Sequence, residues 1–223
     1  MNIVEYAGRD ALMTEVAKTL ASELETYLSN HDQASLAVPG GTTPGPIFDK
    51  LSAADLDWSR VNILPTDERW VAADDPRSNE RLIRERLMVN KAQAATFVPL
   101  YQAGSNPEDA IPTVSSRLDA CTPISLLVLG MGADMHTASL FPGASGLDLA
   151  LDPNAPAVAV LRPDSQPEAR ISLSAPVLAT AVTTHLVVTG ADKRDALEKA
   201  QNLPVETAPV RVVLDNATIH WAE

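Results

Sequence analysis

The chain has 223 residues, of which 45% are hydrophobic and only 4% aromatic, so a core of aliphatic side chains is expected. This length suits one globular domain, residues 1–223, which buries enough surface to fold without disulfides or a structural metal. The formal net charge of −12 opposes binding to nucleic acid and to anionic membranes, so we expect neither to be a partner.

The sequence carries no sign of export or membrane insertion. Cys121 is the only cysteine, so neither an intrachain disulfide nor a cysteine-based zinc site is possible. The N-terminal segment lacks the basic start and apolar core of a secretory signal. No apolar run approaches the roughly 18 residues that span a bilayer. We therefore expect a soluble, cytoplasmic protein.

Strand-like and helical segments alternate along the chain. The β-rich runs predict strands at 35–38, 61–65, 124–129, 157–161, 185–189 and 210–214. Apolar residues at helical spacing predict helices at 10–28, 79–89 and 193–200. This alternation is typical of an α/β fold with a mostly parallel sheet covered by helices. Ligands of such folds bind beyond the carboxyl ends of the strands, so the segments directly after each strand are the place to look for chemistry.

The first such segment, residues 39–46, reads Pro-Gly-Gly-Thr-Thr-Pro-Gly-Pro. Its glycines allow the backbone to approach a ligand, and its threonines add hydroxyl donors. Either later proline is tolerated in the first turn of a helix, where free N–H groups favour an anion. The candidate ligand-binding residues are Gly40, Gly41, Thr42 and Thr43. The segment matches neither a Walker A loop nor GxGxxG, and by itself a tight turn explains it equally well.

The second segment, residues 66–70, reads Thr-Asp-Glu-Arg-Trp after the 61–65 strand. In an extended chain Asp67 and Arg69 point to one side and Glu68 to the other. Such a pair is suited to positioning a sugar hydroxyl and neutralising an anion. Without context, however, a solvated surface cluster is the better interpretation of a charge triplet. Ser78 or Asn79 is expected to cap the helix that follows.

The third segment, residues 129–143, is the most informative. It reads Leu-Gly-Met-Gly-Ala-Asp-Met-His-Thr-Ala-Ser-Leu-Phe-Pro-Gly and follows an apolar run that predicts a central strand. Gly130 and Gly132 permit a sharp turn, after which His136 emerges at the edge of the sheet. Imidazole titrates near neutral pH and can take a proton from water. Asp134 is close enough in sequence to orient this imidazole or to hold one tautomer. An isolated histidine is usually structural, but this position favours a function.

Two cations lie near the ends of predicted elements. Lys193 follows the 185–189 strand, where a helix N-terminus would meet a phosphate and where the helix dipole disfavours a lysine without another purpose. Without further context, a surface arginine is the better interpretation of Arg170, and a lysine in the first turn of a helix is the better interpretation of Lys193. The remaining histidines, His31, His185 and His220, show no ligand spacing, so we expect no metal site and no cofactor.

Together these segments resemble the 6-phosphogluconolactonase family, within the wider group that contains glucosamine-6-phosphate deaminase. The match runs in order from the Gly-Gly-Thr-Thr-Pro loop to the region of Lys193, and its 130–143 motif is long and specific. The resemblance implies a Rossmann-like three-layer α/β sandwich. It also implies hydrolysis of 6-phospho-D-glucono-1,5-lactone to 6-phosphogluconate, the second step of the pentose phosphate pathway.

The resemblance implies a role for each candidate residue. His136 would be the general base that activates water against the lactone carbonyl, with Asp134 supporting it and Arg69 stabilising charge or orienting the substrate. The implied substrate and phosphate ligands are Gly40, Gly41, Thr42, Thr43, Asp67, Arg170 and Lys193. A lactone is an activated ester, so base catalysis and positioning suffice without a metal or a covalent intermediate.

One departure and two alternatives accompany this interpretation. The family more often has glycine where this chain has Met135, which is strained if the turn requires a positive φ. A sugar-phosphate isomerase or deaminase resembles Asp-Gly-His-Ile-Ala-Phe-Asn-Glu-Pro here, and Phe141 replaces the glutamate needed for further proton transfer. A non-catalytic sensor of a sugar phosphate would keep the cations but would not need a base. Such a sensor would also be expected to carry a DNA-binding segment, which this acidic sequence does not show.

Overall fold

The computed structural model describes residues 1–223 as alternating strands and helices. The strands are β1 (Asn2–Glu5), β2 (Ala34–Val38), β3 (Val61–Pro65), β4 (Asp67–Arg69), β5 (Thr96–Phe97), β6 (Leu126–Gly130), β7 (Val158–Leu161), β8 (Arg170–Leu173), β9 (Thr183–Thr189) and β10 (Ala217–Ala222). The helices are α1 (Arg9–Leu28), α2 (Gly45–Leu51), α3 (Asn79–Arg86), α4 (Pro107–Leu118), α5 (Leu147–Leu151), α6 (Ala175–Ala179), α7 (Ala191–Ala200) and α8 (Arg211–Leu214).

A seven-stranded sheet in the order β1-β10-β9-β6-β2-β3-β5 forms the middle layer, and every neighbouring pair in it is parallel. Both faces of this sheet are covered by apolar side chains. Along β6, Leu127 and Leu129 belong to one buried cluster, while Leu126 and Val128 belong to the other. This alternation follows from the two-residue repeat of a strand. The α/β fold with a mostly parallel central sheet between helical layers is therefore confirmed.

Helix α1 covers one face of the central sheet. Its apolar residues recur every four positions, and Leu12, Val16, Leu20 and Leu24 are each at most 1% exposed. They share a buried cluster with Leu36 of β2. Each buried leucine contributes on the order of 1.5–3 kcal/mol relative to exposure, so this stripe anchors the helix layer.

The predicted elements are largely present, with one error. Five of the six predicted strands occur with ends shifted by at most two residues, and the three predicted helices occur with ends shifted by at most three. The predicted strand at 210–214 is wrong, because Arg211–Leu214 is helix α8. A short apolar run satisfies either structure, since a single helical turn also buries Val213 and Leu214. The turn starts at Pro209, whose carbonyl accepts a hydrogen bond from the Val212 N–H at 3.1 Å.

A second, antiparallel sheet in the order β4-β8-β7 lies on the face opposite α1. Its register pairs Asp67 with Ser172 and Arg69 with Arg170. Residues directly opposite in such a pair project from the same side of the sheet. Two arginines from distant parts of the chain are thereby brought together at one end of this small sheet.

Candidate active site

A cavity of about 360 Å³ lies beyond the carboxyl ends of the central strands. Pro39 directly after β2, Gly130 at the end of β6 and Thr189 at the end of β9 all line it. Of the ten candidate residues, nine line this cavity: Gly40, Gly41, Thr42, Thr43, Asp67, Arg69, His136, Arg170 and Lys193. The tenth, Asp134, lies beside His136 and contacts its ring.

His136 emerges from a tight turn that begins at the end of β6. The Gly132 N–H donates to the His136 carbonyl at 3.0 Å, and the Met135 N–H donates to the Gly132 carbonyl at 3.0 Å. A Cβ on Gly132 would lie 2.3 Å from side-chain atoms of both Asp134 and His136. Glycine is therefore required at this position, because any side chain would displace the imidazole.

Met135 adopts the left-handed conformation, with φ of 67°. The turn does require a positive φ, and the strain considered for this methionine is present. A left-handed residue with a side chain costs roughly 1–2 kcal/mol. Two contacts hold Met135 in place: its carbonyl accepts a hydrogen bond from the Val210 N–H at 3.1 Å, and its side chain packs on a buried apolar cluster.

The imidazole of His136 is held in one tautomer and one plane. Its Nδ1 lies 2.5 Å from Oδ1 of Asp134. A carboxylate only accepts, so Nδ1 carries the proton and Nε2 presents a lone pair. The ring stacks on Phe141 with centroids 4.1 Å apart, and 28% of the side chain is exposed on the cavity side. No protein group hydrogen bonds to Nε2, so this atom is free to take a proton from a water molecule.

Arg69 and Arg170 face each other across β4 and β8, and Arg170 is only 5% exposed. Burial, reinforced by the charge of Arg69, lowers the pKa of Arg170. The nearest carboxylate oxygens to Arg170, on Asp67 and Glu168, are 4.0 Å and 3.9 Å away, beyond hydrogen-bond length. Arg170 Nη2 does donate to Gln166 Oε1 at 2.6 Å.

The Nε atoms of both arginines are buried and have no hydrogen-bond partner. Leaving a charged donor buried and unpaired is costly, and two like charges side by side add repulsion. An anion in the cavity would relieve the repulsion, because it neutralises charge beside both guanidinium groups. The electrostatics of this wall therefore favour a negatively charged ligand, despite the net charge of −12 on the chain.

Asp67 is buried, and protein donors occupy its carboxylate. Ser139 Oγ donates to Asp67 Oδ2, and Thr66 Oγ1 donates to Oδ1 at 3.2 Å. Asn79 Nδ2 donates to the backbone carbonyl of Asp67 at 2.7 Å. The carboxylate thus contributes charge beside Arg170 while its position is fixed by Ser139. Asp67 and Arg69 both line the cavity, which confirms that they point to the same side.

Glu68 points the other way, into the start of α3. It accepts hydrogen bonds from the backbone N–H groups of Asn79 and Glu80 at 2.8 Å and 2.7 Å, and from Ser78 Oγ at 3.0 Å. Burial raises the pKa of Glu68, while these donors oppose that rise. With Glu68 1% exposed, the interpretation of the triplet as a solvated cluster is wrong. Ser78 caps α3 as predicted, since its Oγ accepts from the Arg81 N–H at 3.2 Å.

The glycine loop and the start of α7 form the remaining wall. Gly41 has φ of 87°, a conformation that favours glycine. Gly40 lies under Asn79, because a Cβ there would sit 1.8 Å from Asn79 Oδ1. Helix α2 follows this loop with a proline in its first turn, as predicted. Lys193, in the first turn of α7, lines the cavity and has no carboxylate within ion-pair distance.

Four side chains of the site were missed as site residues in the sequence: Asn79, Ser139, Phe141 and Gln166. Asn79 is expected only as a helix cap, and Phe141 only as the replacement for a glutamate. Ser139 lies within the 130–143 motif, which is a usable signal. Gln166 lies outside the four segments that the sequence singles out, so nothing in the sequence points to it.

A cavity at the carboxyl edge of a parallel sheet, lined by an imidazole and three cationic side chains, is typical of an enzyme that acts on a small anionic substrate. No group of three or more His, Cys, Asp or Glu side chains is arranged to hold a metal ion. None of the helices has the length and apolar character needed to cross a membrane.

Residues 7–221 match the family described as glucosamine-6-phosphate isomerases/6-phosphogluconolactonase. A 6-phosphogluconolactonase from Rhizobium meliloti (strain 1021) is 36% identical over 228 residues, covering 99% of this chain and 98% of the relative. One from Pseudomonas aeruginosa is 39% identical over 210 residues, covering 92% and 88%. The chain therefore belongs to the 6-phosphogluconolactonase family.

Solved structures agree with this assignment. A crystal structure of a 6-phosphogluconolactonase from Shewanella baltica OS155 superposes with a TM-score of 0.96 at 34% identity, covering 100% of this chain and 98% of that one. A monomeric glucosamine-6-phosphate deaminase shares the fold, with a TM-score of 0.83 at 16% identity.

Proposed function

We propose that this protein is a 6-phosphogluconolactonase, which hydrolyses 6-phospho-D-glucono-1,5-lactone to 6-phospho-D-gluconate in the oxidative branch of the pentose phosphate pathway. The observation that carries the proposal is the His136 imidazole, with its Nε2 free, in a cavity that Arg69, Arg170 and Lys193 also line. Relatives that are 36% and 39% identical over most of their length bear this enzyme's name.

In the proposed reaction, His136 Nε2 takes a proton from a water molecule as the water oxygen attacks the lactone carbonyl. The ring oxygen leaves when the tetrahedral intermediate collapses, and the imidazolium returns its proton to that oxygen. Asp134 stabilises the imidazolium through Nδ1, 2.5 Å from its carboxylate. General base catalysis of this kind supplies about 10²–10⁴ in rate.

The cations divide the work of holding the substrate. Arg69 stabilises the negative charge on the former carbonyl oxygen or orients the ring. Arg170, Lys193 and the N–H groups of the 40–43 loop bind the phosphate. The side-by-side position of the two arginines on the cavity wall and the absence of an ion pair at Lys193 support binding of an anion by these cations.

Isomerisation or deamination is the less favoured chemistry at this site. Phe141 stacks on His136 where the isomerase motif has a glutamate, so that position offers no proton-transfer group. Hydrolysis of an activated ester needs only the base and the positioned water.

The test follows acid release from freshly generated 6-phospho-D-glucono-1,5-lactone, corrected for spontaneous hydrolysis. The native protein is expected to accelerate release, and a folded His136→Ala variant is expected to be about 10²–10⁴-fold slower. A native rate equal to the spontaneous rate would refute the proposed function. A variant within a few-fold of native would refute the role of His136 alone.

A further inference from the structure

The segment 162–169 between β7 and β8 projects one neutral side chain into the cavity. Gln166 lines the cavity, and its amide accepts a hydrogen bond from Arg170 Nη2 at 2.6 Å. A guanidinium group has only donors, so the carbonyl oxygen of the amide must face Arg170. The Nε2 group of Gln166 therefore lies on the side of the amide that does not contact Arg170. Its two N–H donors have no protein partner.

Contacts between two loops fix the position of Gln166. Arg69 Nη1 donates to the backbone carbonyl of Arg77, in the loop between β4 and α3. Arg77 Nη1 in turn donates to Glu168 Oε2 at 2.8 Å, two residues from Gln166. Each cavity arginine is thus held by one loop, and the Arg77–Glu168 ion pair joins the two loops. The amide of Gln166 is held beside Arg170.

The neutrality of residue 166 matters for binding an anion. A carboxylate at this position would neutralise Arg170 and repel a phosphate, since Asp67 and Glu168 already lie about 4 Å from that guanidinium. An apolar side chain would leave Nη2 without its acceptor. Glutamine satisfies one N–H of Arg170, preserves the positive charge and adds two donors.

We propose that Gln166 is a specificity-determining residue, which recognises the substrate phosphate through its Nε2 while its Oε1 holds Arg170. This inference rests on the proposed function, because the phosphate is that of the lactone. It assigns to the β7–β8 connection a part of the selection for phosphorylated over unphosphorylated substrate.

The informative variant is Gln166→Glu, which keeps an oxygen toward Arg170 but replaces the donors with a charged acceptor. Calorimetry at fixed ionic strength would measure binding of 6-phosphogluconate and of gluconate. We expect Gln166→Glu to weaken 6-phosphogluconate binding about tenfold or more, because the two donors are lost and the added charge repels the phosphate. Gluconate binding should change less than about twofold, since gluconate lacks the phosphate that these donors recognise. The KM for the phosphorylated lactone should rise while kcat stays near the native value.

Two further variants separate recognition from folding. Gln166→Met keeps the length of the side chain without donor or charge, so it should still weaken 6-phosphogluconate binding, though less than Gln166→Glu does. Ser165→Ala, an exposed change in the same segment, should bind both ligands as the native protein does. Thermal unfolding of each variant confirms that the fold is retained.

Binding and hydrolysis are scored separately. A Gln166→Glu variant that binds 6-phosphogluconate within threefold of native would show that Gln166 only positions Arg170, and would overturn the inference. A native protein without preference for 6-phosphogluconate over gluconate would overturn it as well. Failure to hydrolyse the lactone refutes the proposed function instead, whatever the binding data show.

Discussion

Acidification is expected to destabilise this protein through a buried histidine that lies outside the cavity. His220 on β10 is 2% exposed. Its Nε2 faces His185 Nδ1 at 2.9 Å, and its Nδ1 faces the Tyr6 hydroxyl at 2.7 Å. His185 Nε2 contacts Glu23 at 2.6 Å. Since the Glu23 carboxylate only accepts, the whole chain of hydrogen bonds is satisfied with both imidazoles neutral.

The size of the effect follows from the pKa of His220. Burial, with the neighbouring His185 adding to it, lowers this pKa to about 4 from 6.5. In the unfolded chain, His220 therefore binds a proton below about pH 6.5, whereas in the folded chain it binds one only below about pH 4. Stability is fully present above pH 6.5 and is lost as the pH falls toward 4. Linkage gives a loss of about 2 kcal/mol between pH 7 and pH 5 from this group.

Urea unfolding at pH 7 and pH 5 would measure this loss, with His220→Gln as the comparison. Glutamine keeps an N–H donor toward His185 but does not titrate. Between the two pH values, the native protein should lose about 2 kcal/mol more unfolding free energy than the variant does. His31→Gln, at an exposed histidine, should keep the native pH dependence. Equal losses for the native protein and His220→Gln would refute the reasoning.

Three further outcomes are expected. Lys193→Ala should weaken the binding of 6-phosphogluconate about ten- to a hundredfold, measured by calorimetry, because a charge-assisted contact is lost, and it should change gluconate binding little. Equal weakening of binding for both ligands would show that Lys193 does not contact the phosphate. Dialysis against a strong chelator should leave the hydrolysis rate unchanged, and a loss restored only by a divalent ion would contradict metal independence. The free energy of unfolding of Met135→Gly, measured in urea, should lie within about 1 kcal/mol of the native value, because relief of the left-handed strain offsets the greater entropy of the unfolded chain. Met135→Val should be clearly less stable, and the opposite order would contradict strain at this residue.

Local features of the site are predictable from sequence because they depend on neighbours in the chain. Gly132, Asp134 and His136 lie within one turn, so a Gly-x-Gly turn with a carboxylate two residues before the imidazole is enough to indicate their arrangement. The opposite directions of Asp67 and Glu68 follow from the strand repeat alone. The triplet does not reveal that Glu68 is buried, because its burial depends on packing of α3, which lies further along the chain.

The features that could not be predicted are those made by long-range pairing. Arg69 and Arg170 meet only because β4 and β8, strands of three and four residues, pair in one register. Such short strands have too few residues to show a two-residue alternation. The hydrogen bond from Ser139 to Asp67 joins residues 72 positions apart in the chain. At 210–214, the β-branched composition favours a strand, but tertiary packing stabilises a helical turn instead.

The division of the cavity between two sheets has a consequence for the length of molecule that can react. His136 follows a strand of the central sheet, whereas Arg69 and Arg170 belong to the small antiparallel sheet. Phe141 lies between the two groups, because it stacks on His136 and its ring centroid is 5.9 Å from the Arg170 guanidinium carbon. The packing of one sheet against the other thus sets the distance between the proposed base and the proposed anion ligands. Core substitutions at that junction would change which spacing of ester and phosphate fits, without altering any group that touches the substrate.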